Sequence, residues 1–197
     1  MGAVSVLNGL DIVDKSKIGC LGHSMGGNTT YFVTAFDKRI SYAVTSGSVV
    51  SYKHRIDNLT GIEFSSIIPG FLEEFELVDV LKEIAPRDFL IVCADEDKYS
   101  KDAPQIYEIL RKQYLSKNAE RNLKIIQYEG GHQLTQNRYD FIIEWIINHA
   151  WTITKNDNLS NTEESINENI NDYFINININ KKEYKSKFLC RTINYNL

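Results

Sequence analysis

The chain is poor in the residues that usually build disulfide scaffolds, metal sites and membrane spans. Of 197 residues only three are cysteine, three proline and four histidine. Cys20, Cys93 and Cys190 are odd in number and lack metal-ligand spacing, and the first two sit inside apolar runs. That pattern reads as buried free thiols rather than disulfide partners or ligands. The histidines are scattered, with no H-E-x-x-H motif and no Cys pair, so neither a metal nor any other cofactor is expected. No apolar run approaches the roughly 20 residues a bilayer span needs, and no charged-then-apolar leader follows Met1. The expectation is a soluble, cytoplasmic chain without a membrane partner. A basic excess is also missing, since 22 Lys plus Arg face 26 Asp plus Glu, for a net charge of -4. Nucleic acid is therefore not an expected partner.

What is present divides into two parts. Residues 1–151 contain 7 Asn, whereas the 46 residues of 152–197 contain 11 Asn and no Gly or Pro. The first part is long enough for one domain with a sizeable core. The Asn-rich tail offers too little apolar surface to offset chain entropy, and disorder is expected for most of it. Within it, Phe174-Ile175-Asn176-Ile177-Asn178-Ile179-Asn180 alternates with period two, as a strand that pairs with a sheet edge or aggregates would.

Residues 2–10 are a short helix candidate. Ile18-Gly19-Cys20-Leu21 is a compact strand candidate running into Gly22-His23-Ser24-Met25-Gly26-Gly27, and 28–37 are a plausible helix. Residues 40–45 suggest a second strand, bounded by Ser46-Gly47-Ser48. Phe89-Leu90-Ile91-Val92-Cys93-Ala94 is continuously apolar, as a strand covered on both faces would be. A fourth strand, 123–128, closes in Glu129-Gly130-Gly131-His132. Helical spacing of Ile106, Ile109, Leu110 and Tyr114 predicts a helix over 104–117, and Phe141, Ile142, Trp145, Ile146 and His149 predict a terminal one. Alternating strands and helices imply an α/β fold with a mostly parallel sheet and helices on both faces. The insertion 49–87 exceeds a simple crossover: its second half predicts a helix over 73–84, and its first half is placed as a lid or pocket wall.

Gly22-His23-Ser24-Met25-Gly26 fits G-x-S-x-G directly after a strand and directly before a helix, where a nucleophile elbow requires it. Gly-rich turns also join strands to helices in nucleotide binders, but a dinucleotide motif needs G-x-G-x-x-G and a P-loop needs a following Lys. A serine needs a base and a group to orient that base. His132, after the fourth strand, is the candidate base, with a capping or surface role as the plain alternative. His23 is too constrained to reach Ser24 and shapes the turn, while His54 and His149 have no catalytic context. Asp95, Glu96 and Asp97 crowd the end of the third strand, and any of them can face the histidine. The order Ser, acid, His is that of α/β-hydrolases. Ser46, Ser48, Tyr52 and His54 are candidates to line a pocket.

These residues resemble the α/β-hydrolase superfamily, most closely its dienelactone-hydrolase and acetylxylan-esterase-like branch, over nearly all of 1–151. The resemblance rests on Lys17 to Gly27 as the elbow strand and elbow, Phe36-Asp37-Lys38-Arg39-Ile40 as the next turn, Ala85-Pro86-Arg87 as the lead-in to the following strand, and Gly131-His132 as the histidine loop. In that branch the acid closes a Gly-x-x-Asp pattern, here Ala94-Asp95-Glu96-Asp97, with Ala94 departing from Gly. The resemblance thus implies Asp97 as the acid, ahead of Asp95. It implies that Ser24 attacks an ester carbonyl, that His132 relays the proton and that the Met25 N–H is one oxyanion donor. About four strands precede the elbow in the family, and this chain has room there for only a short helix. The carboxyl-terminal half of the fold is therefore expected, with half the oxyanion hole missing and an open strand edge that pairs with an absent amino-terminal half or another copy.

The expected function is a serine hydrolase that cleaves a small-molecule carboxylic ester, such as an acetylated carbohydrate, through an acyl-enzyme. A peptidase or thioesterase of the same fold is the close alternative. The non-enzymatic alternative is an inactive truncated fragment or interaction module.

Overall fold

A computed structural model of the chain describes residues 1–152. The 174–180 alternation and Cys190 lie outside the described residues, as does nearly all of the 152–197 tail.

The chain opens with helix α1 (Gly2–Asn8), whose Val4 packs with Ile18 and Ile40. Strand β1 (Gly19–His23) runs straight into helix α2 (Met25–Phe36), so Ser24 alone forms the turn. Strand β2 (Tyr42–Ser46) is followed by helices α3 (Tyr52–Asp57), α4 (Phe71–Glu74) and α5 (Leu77–Lys82). Then come strand β3 (Asp88–Ala94), helix α6 (Ala103–Ser116), strand β4 (Leu123–Tyr128) and helix α7 (Gln136–Thr152). No helix among the described residues is long and apolar enough to cross a membrane.

The single helix expected over 73–84 is instead α4 and α5, broken at Phe75 and Glu76. Both residues are extended, Glu76 at φ -128° and ψ 167°. Glu76 and Asp79 form a reciprocal capping box, which satisfies amide groups that a continuous helix would have bonded internally. The Glu76 carboxylate also accepts from the Tyr52 and Lys53 amides at 2.8 and 2.9 Å, and Asp102 accepts from the Ser51 amide and hydroxyl. The start of the insertion is thereby tied to α5 and to the head of α6.

The four strands lie in sequence order and every neighbouring pair is parallel. Side chains alternate between faces, as the two-residue period of a strand requires. Phe89, Ile91 and Cys93 enter the core formed with α2, α5 and α6, whereas Leu90 and Val92 meet Ile142 and Trp145 of α7. All seven β3 residues except Asp88 are buried, the expected result for a central strand covered on both sides. β1 is different. Its outer edge has no strand partner among the described residues, and Leu21 is 44% exposed.

Register determines where the loops emerge. His23 aligns with Ser46, Ser46 with Val92, and Ala94 with Tyr128, so all four strands end at one side of the sheet. Amide bonds continue past the strand ends: Ser24 donates to the Ser46 carbonyl (2.8 Å), Gly47 to Val92 (2.9 Å), Asp95 to Tyr128 (3.0 Å) and Glu96 to Gly130 (3.1 Å). The loops after β1, β2, β3 and β4 are thus stitched together at the carboxyl ends, where parallel α/β sheets form their sites.

Candidate active site

Ser24 sits in a sparsely populated backbone conformation, φ 57° and ψ -124°. Such a geometry costs about 1–3 kcal/mol and persists only where the surroundings enforce it. Two contacts enforce it here: the Ser24 amide bond to Ser46, and the close passage of Gly22 under the Gly26 backbone, where a Cβ would collide. Gly22 is therefore required by space. A Cβ on Gly26 would meet nothing, whereas one on Gly27 would strike the Ser48 side chain, so the second tight position of the turn is Gly27.

The turn presents Ser24 Oγ 2.7 Å from His132 Nε2, and His132 Nδ1 lies 3.0 Å from Asp97 Oδ1. An ionised carboxylate only accepts, so Nδ1 carries the proton, and the lone pair of Nε2 faces the serine hydroxyl. Asp97 is 2% exposed. Its Oδ1 also accepts from the Tyr99 amide and its Oδ2 from the Ser100 hydroxyl, both at 2.9 Å. These two donors fix the carboxylate plane. Asp95 is exposed and accepts from the Gly130 amide at 2.8 Å, which braces the histidine loop instead of the imidazole. Glu96 is exposed as well.

Three of the four expected pocket-lining residues do other work. Ser46 Oγ is 3.1 Å from His23 Nδ1, and Ser48 is buried beneath α2 in a short hydrogen bond with Thr45. Tyr52 is buried and donates to the Ser66 carbonyl at 2.9 Å, while the Ser51 hydroxyl caps the helix at the His54 amide. The side chains of Ser46, Ser48 and Tyr52 are consumed in hydrogen bonds and packing, whereas His54 is half-buried and is held through its backbone amide. Nothing is described for the His149 side chain.

Two residues close to the imidazole carry no motif signal. Gly47 has φ 59°, and a Cβ there would stand 3.0 Å from His23 Cε1 and 3.1 Å from both His132 Nδ1 and Asp97 Oδ2. The Tyr99 ring centroid lies 4.9 Å from that of His132, and His23 packs on His132 at 4.8 Å. The Asp97-x-Tyr99-Ser100 spacing, an aspartate able to bond the amide two residues on, is the signal that points to a tight turn here.

Burial holds the His23 imidazole below the usual histidine range, and the neighbouring His132 adds to the effect. Burial also pushes the Cys93 thiol up to about 12. A thiol so shifted stays protonated at neutral pH and makes a poor nucleophile. Cys20 is free and half-buried. Among the described residues no three His, Cys, Asp or Glu side chains gather into a metal-ligand set.

Met25 begins α2, where amides have no intrahelical acceptor and the helix dipole is positive. Its N–H can therefore meet an anion forming at the serine. Beside it, a cleft of about 240 Å³ runs along α2, walled by Met25, Asn28, Phe32 and Ile68. A larger cavity of about 330 Å³, with Arg121, Lys124 and Trp145 among its walls, lies by the start of β4, away from Ser24.

Sheet order, strand polarity and the strand–serine–helix turn define the carboxyl-terminal part of an α/β-hydrolase fold. No protein-family profile matches the chain. It is 25% identical over 136 residues to "Putative hydrolase YtaP" of Bacillus subtilis (strain 168), covering 67% of this chain and 46% of the relative. The chain thus spans about half the length of the curated relative it matches. Among solved structures it is similar to a family 15 carbohydrate esterase, a glucuronoyl esterase of Caldicellulosiruptor kristjansonii, with TM-score 0.61 and 16% identity over 82% of this chain and 52% of that one. It is also similar to acetyl xylan esterase 1 of Thermoanaerobacterium sp. JW/SL YS485, with TM-score 0.50 and 18% identity over 76% and 50% of the two chains. At such identities these structural likenesses establish the fold.

Proposed function

We propose that this chain supplies the nucleophile, base and acid of a serine hydrolase that cleaves a carboxylic ester through an acyl-enzyme. The observation that carries the reading is the unbroken chain from Ser24 Oγ to His132 Nε2, 2.7 Å, and from His132 Nδ1 to Asp97 Oδ1, 3.0 Å, on a strained turn. As Ser24 Oγ bonds to the ester carbonyl carbon, its proton passes to His132 Nε2 and the carbonyl electron pair moves onto oxygen. Collapse expels the alkoxide, which takes that proton and leaves as the alcohol. His132 then deprotonates a water that attacks the acyl carbon, and Ser24 recovers its hydrogen as the carboxylic acid departs. Asp97 holds the imidazole and offsets its transient positive charge.

The substrate class is a small ester, with an acylated carbohydrate favoured by the esterase names of the fold neighbours. Thioester or peptide cleavage by the same groups is the alternative, and leaving-group preference distinguishes them. The Met25 amide accounts for one oxyanion donor. A second, worth about 10² to 10³ in rate, belongs in this reading to polypeptide that pairs with the open β1 edge, either an amino-terminal half of the fold or another copy. The exposed Leu21 on that edge supports such pairing.

The test is labelling with a fluorophosphonate probe, compared with Ser24→Ala and His132→Ala, each shown folded by circular dichroism. Labelling of the natural chain that both substitutions abolish is the expected result. A folded chain that stays unlabelled overturns autonomous hydrolase activity and favours the interaction-module reading.

A further inference from the structure

His132 reaches the site from the loop after β4, where Gly130 has φ 98° and the two residues before the histidine are both glycine. The loop backbone is held by the Asp95 carboxylate and by Arg138, which donates to the Glu129, Gly131 and Gln133 carbonyls, but none of these bonds reaches the imidazole. The His132 side chain is 32% exposed, and its polar contacts are the single bonds to Ser24 and Asp97. A half-turn of the ring about its Cβ–Cγ bond would replace both nitrogens with carbons at those positions. What surrounds the ring therefore decides whether the productive orientation dominates.

Two other rings touch it. The His23 centroid lies 4.8 Å away with planes at 35°, and the Tyr99 centroid 4.9 Å away with planes at 60°. Each is anchored from a different direction. His23 belongs to β1 and reaches Ser46 Oγ, 3.1 Å from its Nδ1, while the Ser46 carbonyl accepts the Ser24 amide. One strand pair thus sets both the nucleophile and the first ring. Tyr99 donates its amide to Asp97 Oδ1, so the residue that orients the acid also lays its ring against the base. The Tyr99 ring carries the Lys98 ammonium at 4.9 Å from its centroid and the Arg55 guanidinium at 5.8 Å. Arg55, 4% exposed, is paired with Glu63 at 2.9 Å, and Glu63 accepts from Asn28 of α2 at 3.2 Å. The insertion meets the site through this Arg55–Tyr99 contact.

We propose that His23 and Tyr99 are positioning residues: their rings hold the His132 imidazole in the one orientation that bridges Ser24 and Asp97, and the insertion braces Tyr99 from behind through Arg55. The catalytic consequence rests on the serine-hydrolase reading above, whereas the ring-locking does not. The insertion thereby has a task distinct from covering substrate. It keeps the base aligned, and Tyr99 is where that support is delivered.

The experiment compares the natural chain with Tyr99→Phe, Tyr99→Leu and His23→Asn by two readouts. The first is nitrogen NMR of the His132 side chain, assigned with His132→Gln, which reports tautomer and ring exchange whether or not the chain is active. The second is the rate of fluorophosphonate labelling. We expect one Nδ1–H tautomer in the natural chain and in Tyr99→Phe, and mixed or exchanging signals in Tyr99→Leu and His23→Asn. Labelling should fall about ten- to a hundredfold in the latter two, with Tyr99→Phe within about threefold, the scale on which misplacement of a reacting group acts. A single unchanged tautomer in Tyr99→Leu and His23→Asn overturns the proposal. If the natural chain does not label at all, the hydrolase reading fails while the NMR comparison still decides the ring-locking.

Discussion

Gly47 lies against the His132 imidazole so closely that a Cβ would stand 3.1 Å from Nδ1, and an equal distance from Asp97 Oδ2. The residue holds φ 59° while its amide extends the sheet by donating to the Val92 carbonyl at 2.9 Å. It can neither relax its backbone without losing that bond nor carry a side chain without moving Asp97 and His132 apart. Gly47→Ala should cost about 1–2 kcal/mol of stability from the left-handed backbone alone. Labelling at Ser24 should fall about tenfold or more, because tenths of an ångström at a reacting pair are amplified in rate. Urea denaturation and probe kinetics on the same preparation separate the two effects, and unchanged labelling would show that the imidazole does not depend on this floor.

Asp97 and Asp95 are both at the end of β3, yet they bond to different things: Asp97 to the imidazole, Asp95 to the Gly130 amide. Asp97→Asn keeps the shape but can present its amide N–H to Nδ1, which favours the wrong imidazole tautomer. A loss of about 10³ to 10⁴ in labelling rate is expected. Asp95→Asn retains an oxygen for Gly130 and should stay within about threefold, the range of an ordinary surface change. The reverse ranking would transfer the acid's role to Asp95.

The strand, turn and helix around Ser24 were legible because each rests on local chemistry: an apolar run, small residues, a helix start. The continuously apolar 89–94 run was legible for the same reason, since burial on both faces leaves no polar position. The break between α4 and α5 was not, because Glu73 to Ile84 has helical apolar spacing and the capping box that interrupts it uses residues common inside helices. Tyr99 was invisible for a deeper reason. Its ring meets a histidine 33 positions later only because β3 and β4 are parallel and end together. Ser46 and Ser48 were expected to face a pocket, but their hydroxyls are taken up by His23 and Thr45 once α2 and β2 pack.

His23 links pH to stability. Its pKa in the folded chain lies below the usual histidine value of 6.5, chiefly through burial, then through His132 and Arg138, against an opposing pull from Asp97. Below about pH 6.5 the unfolded chain therefore binds a proton that the folded chain resists. Stability from this source is full above that pH and declines as pH falls through the folded value. His23→Gln keeps a group able to bond Ser46 but does not titrate. Its stability should fall less than that of the natural chain between about pH 7 and pH 5, as read by urea midpoints at each pH. Parallel curves would mean that His23 is protonated equally in both states.

The Arg55–Glu63 pair tests how firmly the insertion is held. Arg55 is buried, but the Glu63 side chain is 29% exposed, and the pair is completed by the Gly61 carbonyl and the Asn28 amide. Removing one partner of a fully buried pair costs about 3–5 kcal/mol because a bare charge is left behind. Glu63 can hydrate when abandoned, so Arg55→Met should cost less, about 1–3 kcal/mol, by loss of charged hydrogen bonds. Glu63→Gln should cost more than its mild chemistry suggests, since the Arg55 guanidinium is the partner that cannot reach water. If the insertion were only a loosely placed flap, both substitutions would leave the urea midpoint unchanged. A measured asymmetry in the expected direction would instead identify Arg55 as the buried anchor of the insertion.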